Sequence, residues 1–165
     1  MKKLILLTLL LPLFFSCTPP KIEGMLNPVN PHKKPVMAIV SDSILADFLE
    51  NMLLQRQFVM VERKRLYSVL SEQQLAMSGI MRENKLIEVG KMLNIDAMIF
   101  VNERQEGNVL TGMIQIMSAT VKIVDVDSGK VIGSYGYTIG DPPGLYLKED
   151  EIVRRIADKI AGAYK

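Results

Sequence analysis

Cys17 is the one thiol in 165 residues, and the residues before it decide what chemistry it is offered. Lys2 and Lys3 lead into an apolar run from Leu4 to Phe15, followed by the small Ser16. A charged start, a short apolar core and a small residue at the cut make a secretory signal peptide. A cysteine placed first after that cut reads as a bacterial lipoprotein signal. There the thiol takes a diacylglyceryl group, and the freed amino terminus gains a further acyl chain such as palmitate. Leu13-Phe14-Phe15-Ser16 fits such a lipobox loosely, because Phe15 is bulkier than usual. The plain alternative is an ordinary signal peptide with a stray cysteine. Lipidation is the favoured reading, since a lone cysteine in a secreted chain has no intrachain partner.

The other residues able to do chemistry lack companions. Glu62-Arg63 and Glu72-Gln73 are tempting charged pairs, but Glu62 stands before a helix start, where an acid meets the positive end of the helix dipole. Asp96, Asp125 and Asp127 border strands and turns, where aspartates make local backbone hydrogen bonds. Ser41-Asp42-Ser43 is a capping cluster without the Gly-x-Ser-x-Gly elbow of a hydrolase. His32, the only histidine, sits beside Lys33 and Lys34 with no second metal ligand near it. No phosphate loop or dinucleotide fingerprint is present. The chain therefore reads as non-catalytic, with no cofactor, no metal and no small-molecule substrate.

Length and charge narrow the classes further. The apolar run of residues 4–15 falls short of the roughly 20 residues a spanning helix needs. Anchoring by lipid is the remaining route to a membrane, and each buried CH₂ contributes about 0.8 kcal/mol to it. Thr18, in place of an aspartate, points to the outer membrane, with the domain facing the periplasm. The two signal lysines removed, 18 basic residues balance 18 acidic ones. No basic stripe with interleaved aromatics is present, so no nucleic acid is expected. What remains after cleavage is one domain's worth of chain, enough for a proper core.

Three segments follow from composition: a signal peptide over 1–16, the lipidated cysteine and a Pro-rich linker over 17–35, and a single domain over 36–165. Pro19, Pro20, Pro28, Pro31 and Pro35 stiffen the linker, which is expected to pack no core. Extended, it would hold the domain up to roughly 55 Å from the bilayer. Val36 to Val40 reads as a buried strand. Ser41 or Asp42 would cap a helix whose apolar face is Ile44, Leu45, Phe48, Leu49, Met52 and Leu53. Phe58 to Val61 is a second strand. A helix from about Arg63 turns Leu66, Tyr67, Val69 and Leu70 inward and breaks at Ser78-Gly79. Another spans about Arg82 to Leu93, stopped by Asn94 in a left-handed conformation. Strands are expected at Ala97–Val101, Met113–Val126 and Val131–Ile139, with a polar turn over 103–112 and a tight turn at Asp127-Ser128-Gly129-Lys130. In the last strand Val131, Gly133, Tyr135, Tyr137 and Ile139 share one face. The final helix starts near Lys148, carries Glu149, Asp150 and Glu151 at its positive end, and buries Ile152, Ile156 and Ile160. Asp150–Arg154 and Glu151–Arg155 are spaced as ion pairs. The fold class is α/β: a two- to three-layer sandwich with a mixed sheet of about five strands, in the order β-α-β-α-α-β-β-β-α.

Methionine is abundant, at 11 residues. Met52, Met92 and Met98 fall on apolar faces as core filler. Met77 and Met81, flanking Ser78 and Gly79, form a candidate partner interface, because flexible thioethers suit adaptable contacts. Met113 and Met117 have no assigned place.

An ordered set of segments carries a resemblance. Val61-Glu62-Arg63, Leu66, Leu70, Glu72-Gln73 and Ser78-Gly79 resemble the signature of the curli-secretion lipoprotein (CsgG-like) family. Gly90-Lys91-Met92-Leu93-Asn94-Ile95-Asp96-Ala97 and the hairpin Val121 to Val131 are similar to two further segments of it. The resemblance covers roughly residues 36–140. One branch of that family builds an outer-membrane ring that exports curli subunits, each copy giving two hairpins to a barrel. Another comprises lipoproteins that activate cell-wall penicillin-binding proteins. Residues 102–112 and 140–147 leave little room for membrane-crossing hairpins. The resemblance therefore implies the periplasmic core of the family without the pore: a lipid-anchored protein acting through contacts with envelope proteins, including a homo-oligomeric ring, in assembly or secretion of envelope or curli-type proteins. Activation of a cell-wall synthase is the alternative.

Overall fold

Helices cover both faces of the sheet because of how the chain crosses it. The computed structural model describes residues 19–72, 83–108, 113–140 and 147–164. Its elements are β1 (Lys21–Leu26), β2 (Val36–Ile39), α1 (Ile44–Gln55), β3 (Val59–Met60), α2 (Arg63–Glu72), α3 (Glu83–Met92), β4 (Ala97–Asn108), β5 (Met113–Asp125), β6 (Val131–Thr138) and α4 (Glu149–Ala163). They build one six-stranded mixed sheet in the order β1-β6-β5-β4-β2-β3. β2 is parallel to both β3 and β4, and the other pairs are antiparallel. From β2 the chain moves out to the edge through α1, then back past β2 to β4 through α2 and α3. Crossovers of one hand in opposite directions put their helices on opposite faces.

The two cores follow from this division. On one face Leu45, Leu49 and Leu53 of α1 and Ile152, Ile156 and Ile160 of α4 pack on Ile39, Ile99, Val121, Ile123, Tyr135 and Tyr137. On the other, Leu66 of α2 with Leu86 and Val89 of α3 covers Ala38, Val40, Met98 and Val126. Helix α4 shows which force holds it. Its N-cap, Lys148, makes no side-chain cap bond, a loss of about 1 kcal/mol. Each of its buried isoleucines returns about 1.5–3 kcal/mol, so the stripe outweighs the missing cap.

Several sequence expectations are corrected. Residues 17–35 are not a free linker throughout, because Lys21–Leu26 pairs antiparallel with β6 along its whole length, from Lys21 opposite Thr138 to Leu26 opposite Gly133. The main-chain ladder holds this edge strand, while Leu26 is its one buried side chain. With so little apolar content and Gly24 in its middle, KIEGML gives no strand pattern. The sheet accordingly has six strands where about five were expected. β4 also continues to Asn108 through the expected polar turn, pairing with β5 as far as Met113. Beyond Met117 and Val101 this ribbon leaves its neighbours: β2 pairs with β4 only to Ile99, and β6 with β5 only to Ser118.

Smaller shifts have equally local causes. Ser43, not Ser41 or Asp42, caps α1, its Oγ accepting from the Ala46 N–H at 3.2 Å. Ser41 is engaged elsewhere, its Oγ accepting from the Val101 N–H at 2.7 Å. Packed on the sheet, α1 turns Leu45, Ala46, Leu49 and Leu53 inward and leaves Ile44 and Phe48 at 50% and 40% exposure. In β6 the face alternation holds for Gly133, Tyr135 and Tyr137. A register shift between Ile123 and Val124 precedes the pairing of Val124 with Val131, and Val131 stands exposed. Met98 is fully buried and Met52 packs against the core, but Met92 is exposed. Arg154 and Arg155 both pair with Glu151, so Arg154 does not take Asp150 as expected.

Gly24 is fixed by a close approach. Its φ is +144°, and a Cβ there would lie 2.1 Å from the Ser134 carbonyl oxygen and 2.6 Å from the Tyr135 Cα. Gly24→Ala is expected to cost about 2–3 kcal/mol. Hydrogen exchange should then show protection lost across Lys21–Leu26 and kept in β4 and β5. Uniform protection in the variant would contradict this account of the edge.

Candidate functional site

The signature positions resolve into structural devices. Arg63 opens α2 and reaches back to α1. Its guanidinium donates to the Ser41 carbonyl at 3.0 Å and to Asp47, and lies 3.3 Å from Glu50 and 3.6 Å from Asp42. The hydrogen bond to Asp47 raises the Arg63 pKa against the opposing effect of burial, and attraction from Asp47, Glu50 and Asp42 adds to the rise. Tyr67, one turn on, donates to the Val40 carbonyl at 2.5 Å. Burial, then the nearby Asp42, pushes its phenol up. This cluster joins β2, α1 and α2, which is a structural reason for the Glu62-Arg63 pair. Glu62 itself has an exposed side chain and contributes its carbonyl to the first turn of α2.

The second signature segment is structural as well. Gly90 lets α3 touch the sheet, since a Cβ there would stand 2.7 Å from the Met98 methyl. Asn94 has φ +53°, the left-handed stop expected of it. Asp96 does more than cap locally: its Oδ2 accepts from the Val36 N–H at 2.8 Å, sixty residues away, and ties the starts of β2 and β4. Asp125 behaves as expected, its Oδ2 accepting from the Ser128 N–H at 2.8 Å and hydroxyl at 2.6 Å. His32 is exposed, and no cluster of metal-ligating side chains exists among the described residues. Cys17 and the interface candidates Met77, Ser78, Gly79 and Met81 lie outside the described residues.

Surface features that sequence reasoning missed lie on the two flanks and at one end. Beyond β3, at one edge, Leu54 and Val59 are exposed, and on the outer side of α1 so are Ile44 and Phe48. At the β1 edge Met25, Val29 and, on neighbouring β6, Val131 are exposed. On the ribbon, Glu103 Oε2 and Gln115 Nε2 are buried with no partner among the described residues. Among the described residues no helix is long and apolar enough to cross a membrane.

A cleft of about 180 Å³ opens at one end of the sheet. Val29, Lys33 and Pro35 from the β1–β2 connection face Asp96, Asp125, Asp127 and Tyr164 across it. Tyr164 packs edge-on against Phe58, with ring centres 5.6 Å apart. Burial, then Tyr135, Asp125 and Asp96, pushes its phenol up to about 12. Its signal in sequence was slight, one aromatic beside the chain end.

Comparison with known proteins adds a family match and a likeness of fold. The model for "Curli production assembly/transport component CsgG" matches residues 29–102. No curated protein sequence matches the chain. Among solved structures, the PelC dodecamer from Paraburkholderia phytofirmans is similar at TM-score 0.52 and 13% identity, over 88% of this chain and 97% of that one. The LpoB C-terminal domain from Salmonella enterica is similar at TM-score 0.50 and 16% identity, over 69% of this chain and 87% of that one. At such identities the likeness is one of fold.

Arg63→Met is expected to destabilise the protein by about 1–3 kcal/mol in denaturant unfolding, because the Ser41 carbonyl and three carboxylates lose their common donor. Arg63→Lys should recover less than half, since an ammonium cannot reproduce the planar fork. Full recovery with lysine would refute the geometric reading. For Tyr164, the folded state holds the phenolic proton to about 12, while an unfolded tyrosine releases it near about 10. Its stabilising share is thus intact below about pH 10 and lost as the pH rises to about 12. Stability measured across that range should fall, and Tyr164→Phe should remove part of the fall.

Proposed function

We propose that this chain, which matches the CsgG family model over residues 29–102, is a lipid-anchored envelope protein of that family acting in assembly or secretion of envelope or curli-type proteins. It is held at the periplasmic face of the outer membrane through Cys17 and works through protein contacts, as a ring of identical copies. The observation that carries the ring is the pair of unlike flanks. A head-to-tail ring needs two different surfaces on opposite sides of each copy. The sheet has such sides, one presenting Met25, Val29 and Val131, the other Leu54 and Val59 beside Ile44 and Phe48. A similar fold occurs as a dodecamer in PelC.

The anchor constrains how such a ring would stand. Lys21 starts β1, only four residues after Cys17. Even fully extended, four residues span at most about 13 Å. That is far below the roughly 55 Å allowed to a free linker, so the domain rests close to the bilayer. Lys21 is also level with Thr138 and Ser118 in the sheet, the end from which the β4–β5 ribbon projects. A leash this short disfavours a regulator that must cross the periplasm to reach a cell-wall penicillin-binding protein.

Native mass spectrometry of the full chain, extracted in mild detergent, tests the reading. Each subunit is expected to carry acyl chains that Cys17→Ser removes, and the assembly is expected to be one closed ring. Phe48→Glu should dissociate it while leaving the subunit folded. A strict monomer would overturn the ring, and unmodified Cys17 would overturn the anchor.

A further inference from the structure

The cleft at the far end of the sheet combines features that the fold alone does not require. Asp96, Asp125 and Asp127 converge on it from the start of β4 and the turn after β5, with Lys33 as the one facing cation among its lining residues. Asp96 and Asp125 each commit one oxygen, Oδ2, to the hydrogen bonds already described. Their Oδ1 atoms and the Asp127 carboxylate have no hydrogen bond among the described residues. Lys34 does not offset the charge, because it lies over the Phe58 ring and donates to the Arg56 carbonyl at 2.7 Å.

Tyr164 is the second, independent observation. It is 8% exposed, lines the cleft, and its hydroxyl makes no hydrogen bond among the described residues. The side chain is buried, yet its hydroxyl is not among the sealed, unpartnered polar atoms, so it keeps access to the cleft that the residue lines. Tyr164 lines the same cleft as Asp96, Asp125 and Asp127. The remaining lining is apolar, from Val29, Pro35, Ala97 and Ile132.

The size selects among ligands. Small-molecule pockets run to roughly 300–1,000 Å³, and this cleft, at about 180 Å³, is smaller. It has room for the tip of one long side chain. An apolar wall with acids at its end suits a side chain with a hydrocarbon stem and a charged head.

The geometry points to this cleft as a receptor for a single lysine or arginine side chain presented by a polypeptide partner. The stem would lie along Val29, Pro35 and Ile132, and the head would meet Asp125, Asp127 and the Tyr164 hydroxyl. Guanidinium, a planar fork of donors, can address two carboxylates at once, whereas ammonium acts as a point charge. The cleft lies at the opposite end of β1 from Lys21, about 17–20 Å along a six-residue strand, and so faces away from the anchored end. This inference rests on the reading of the chain as a protein-contact module and adds the chemistry of the contact.

The test is an amide-resonance titration of the full lipidated chain in detergent micelles, with N-acetyl-arginine methylamide and N-acetyl-lysine methylamide as probes. N-acetyl-norleucine methylamide, with a similar stem and no charge, is the control. Saturable shifts confined to Asp96–Ala97, Asp125–Gly129 and Tyr164 are expected with the charged probes, in the millimolar range. Stronger binding by the arginine probe would identify two-carboxylate recognition; stronger binding by the lysine probe would identify a point-charge site. The double variant Asp127→Asn, Tyr164→Phe, which keeps the ring packing on Phe58, should weaken binding about fivefold or more. Equal binding of norleucine, absence of saturable shifts, or undiminished binding by a folded double variant would each overturn the assignment. Since the probes are single side chains, such a failure leaves the ring to be decided by its own mass measurement.

Discussion

Strand β4 carries the constraint on which the other elements depend. It must be parallel to β2 on one side and antiparallel to β5 on the other, so the crossover half and the meander half of the fold meet along it. Its side chains alternate between two cores: Ala97, Ile99 and Val101 to one, Met98 to the other. A one-residue slip would exchange these sets and expose both cores to the wrong helices. Asp96 pins the register at the strand's start. Its carboxylate and N–H engage the Val36 N–H and carbonyl on β2, and its own carbonyl accepts from the Val126 N–H at 3.0 Å. Gly90 serves the same junction, letting α3 come close to Met98 and Val126 in the second core.

The helices are then locked by charge at their ends more than by capping. Arg63 binds the α1 side of the sheet to α2. Arg56, at the C-terminus of α1, donates to Asp158 of α4 at 2.9 Å and to the Met52 carbonyl at 2.8 Å. Exposed ion pairs contribute at most about 1 kcal/mol each, whereas the buried leucines and isoleucines of α1 and α4 supply several times that. Burial therefore supplies most of the stability, and the ion pairs add little to it.

Polarity along the sheet organises the functional reading. The strand start nearest Cys17 and the β4–β5 ribbon share one end. The acid-lined cleft and Tyr164, the residue that ends α4, share the other. A short leash to a membrane, as proposed, would turn the first end to lipid and leave the second open to partners. The flanks between them carry the exposed apolar side chains. In that reading three surfaces with three chemistries are kept apart on one fold.

Much of this was legible in residue order. The alternation in β6, the isoleucine stripe of α4 and the left-handed Asn94 are local properties, fixed by side-chain period and backbone sterics, and they read directly from the chain. So did the family segments, because Glu62-Arg63 and Gly90 to Ala97 are contiguous. Other features depended on partners far away in the sequence. Lys21–Leu26 becomes a strand only because β6 offers it a ladder, and backbone hydrogen bonds leave little trace in side-chain identity. Ile44 and Phe48 face solvent because the stripe of Leu45, Leu49 and Leu53 is the one that packs on the sheet, and Ser43 caps the helix while Ser41 is taken by Val101 sixty residues on. The cleft joins residues from positions 29 to 164, so its carboxylates look like separate turn residues until the sheet brings them together. The sequence by itself determined the period of each element; which faces are covered, which edges are open and which acids share a space were decided by tertiary pairing, since those depend on contacts between segments that no local pattern encodes.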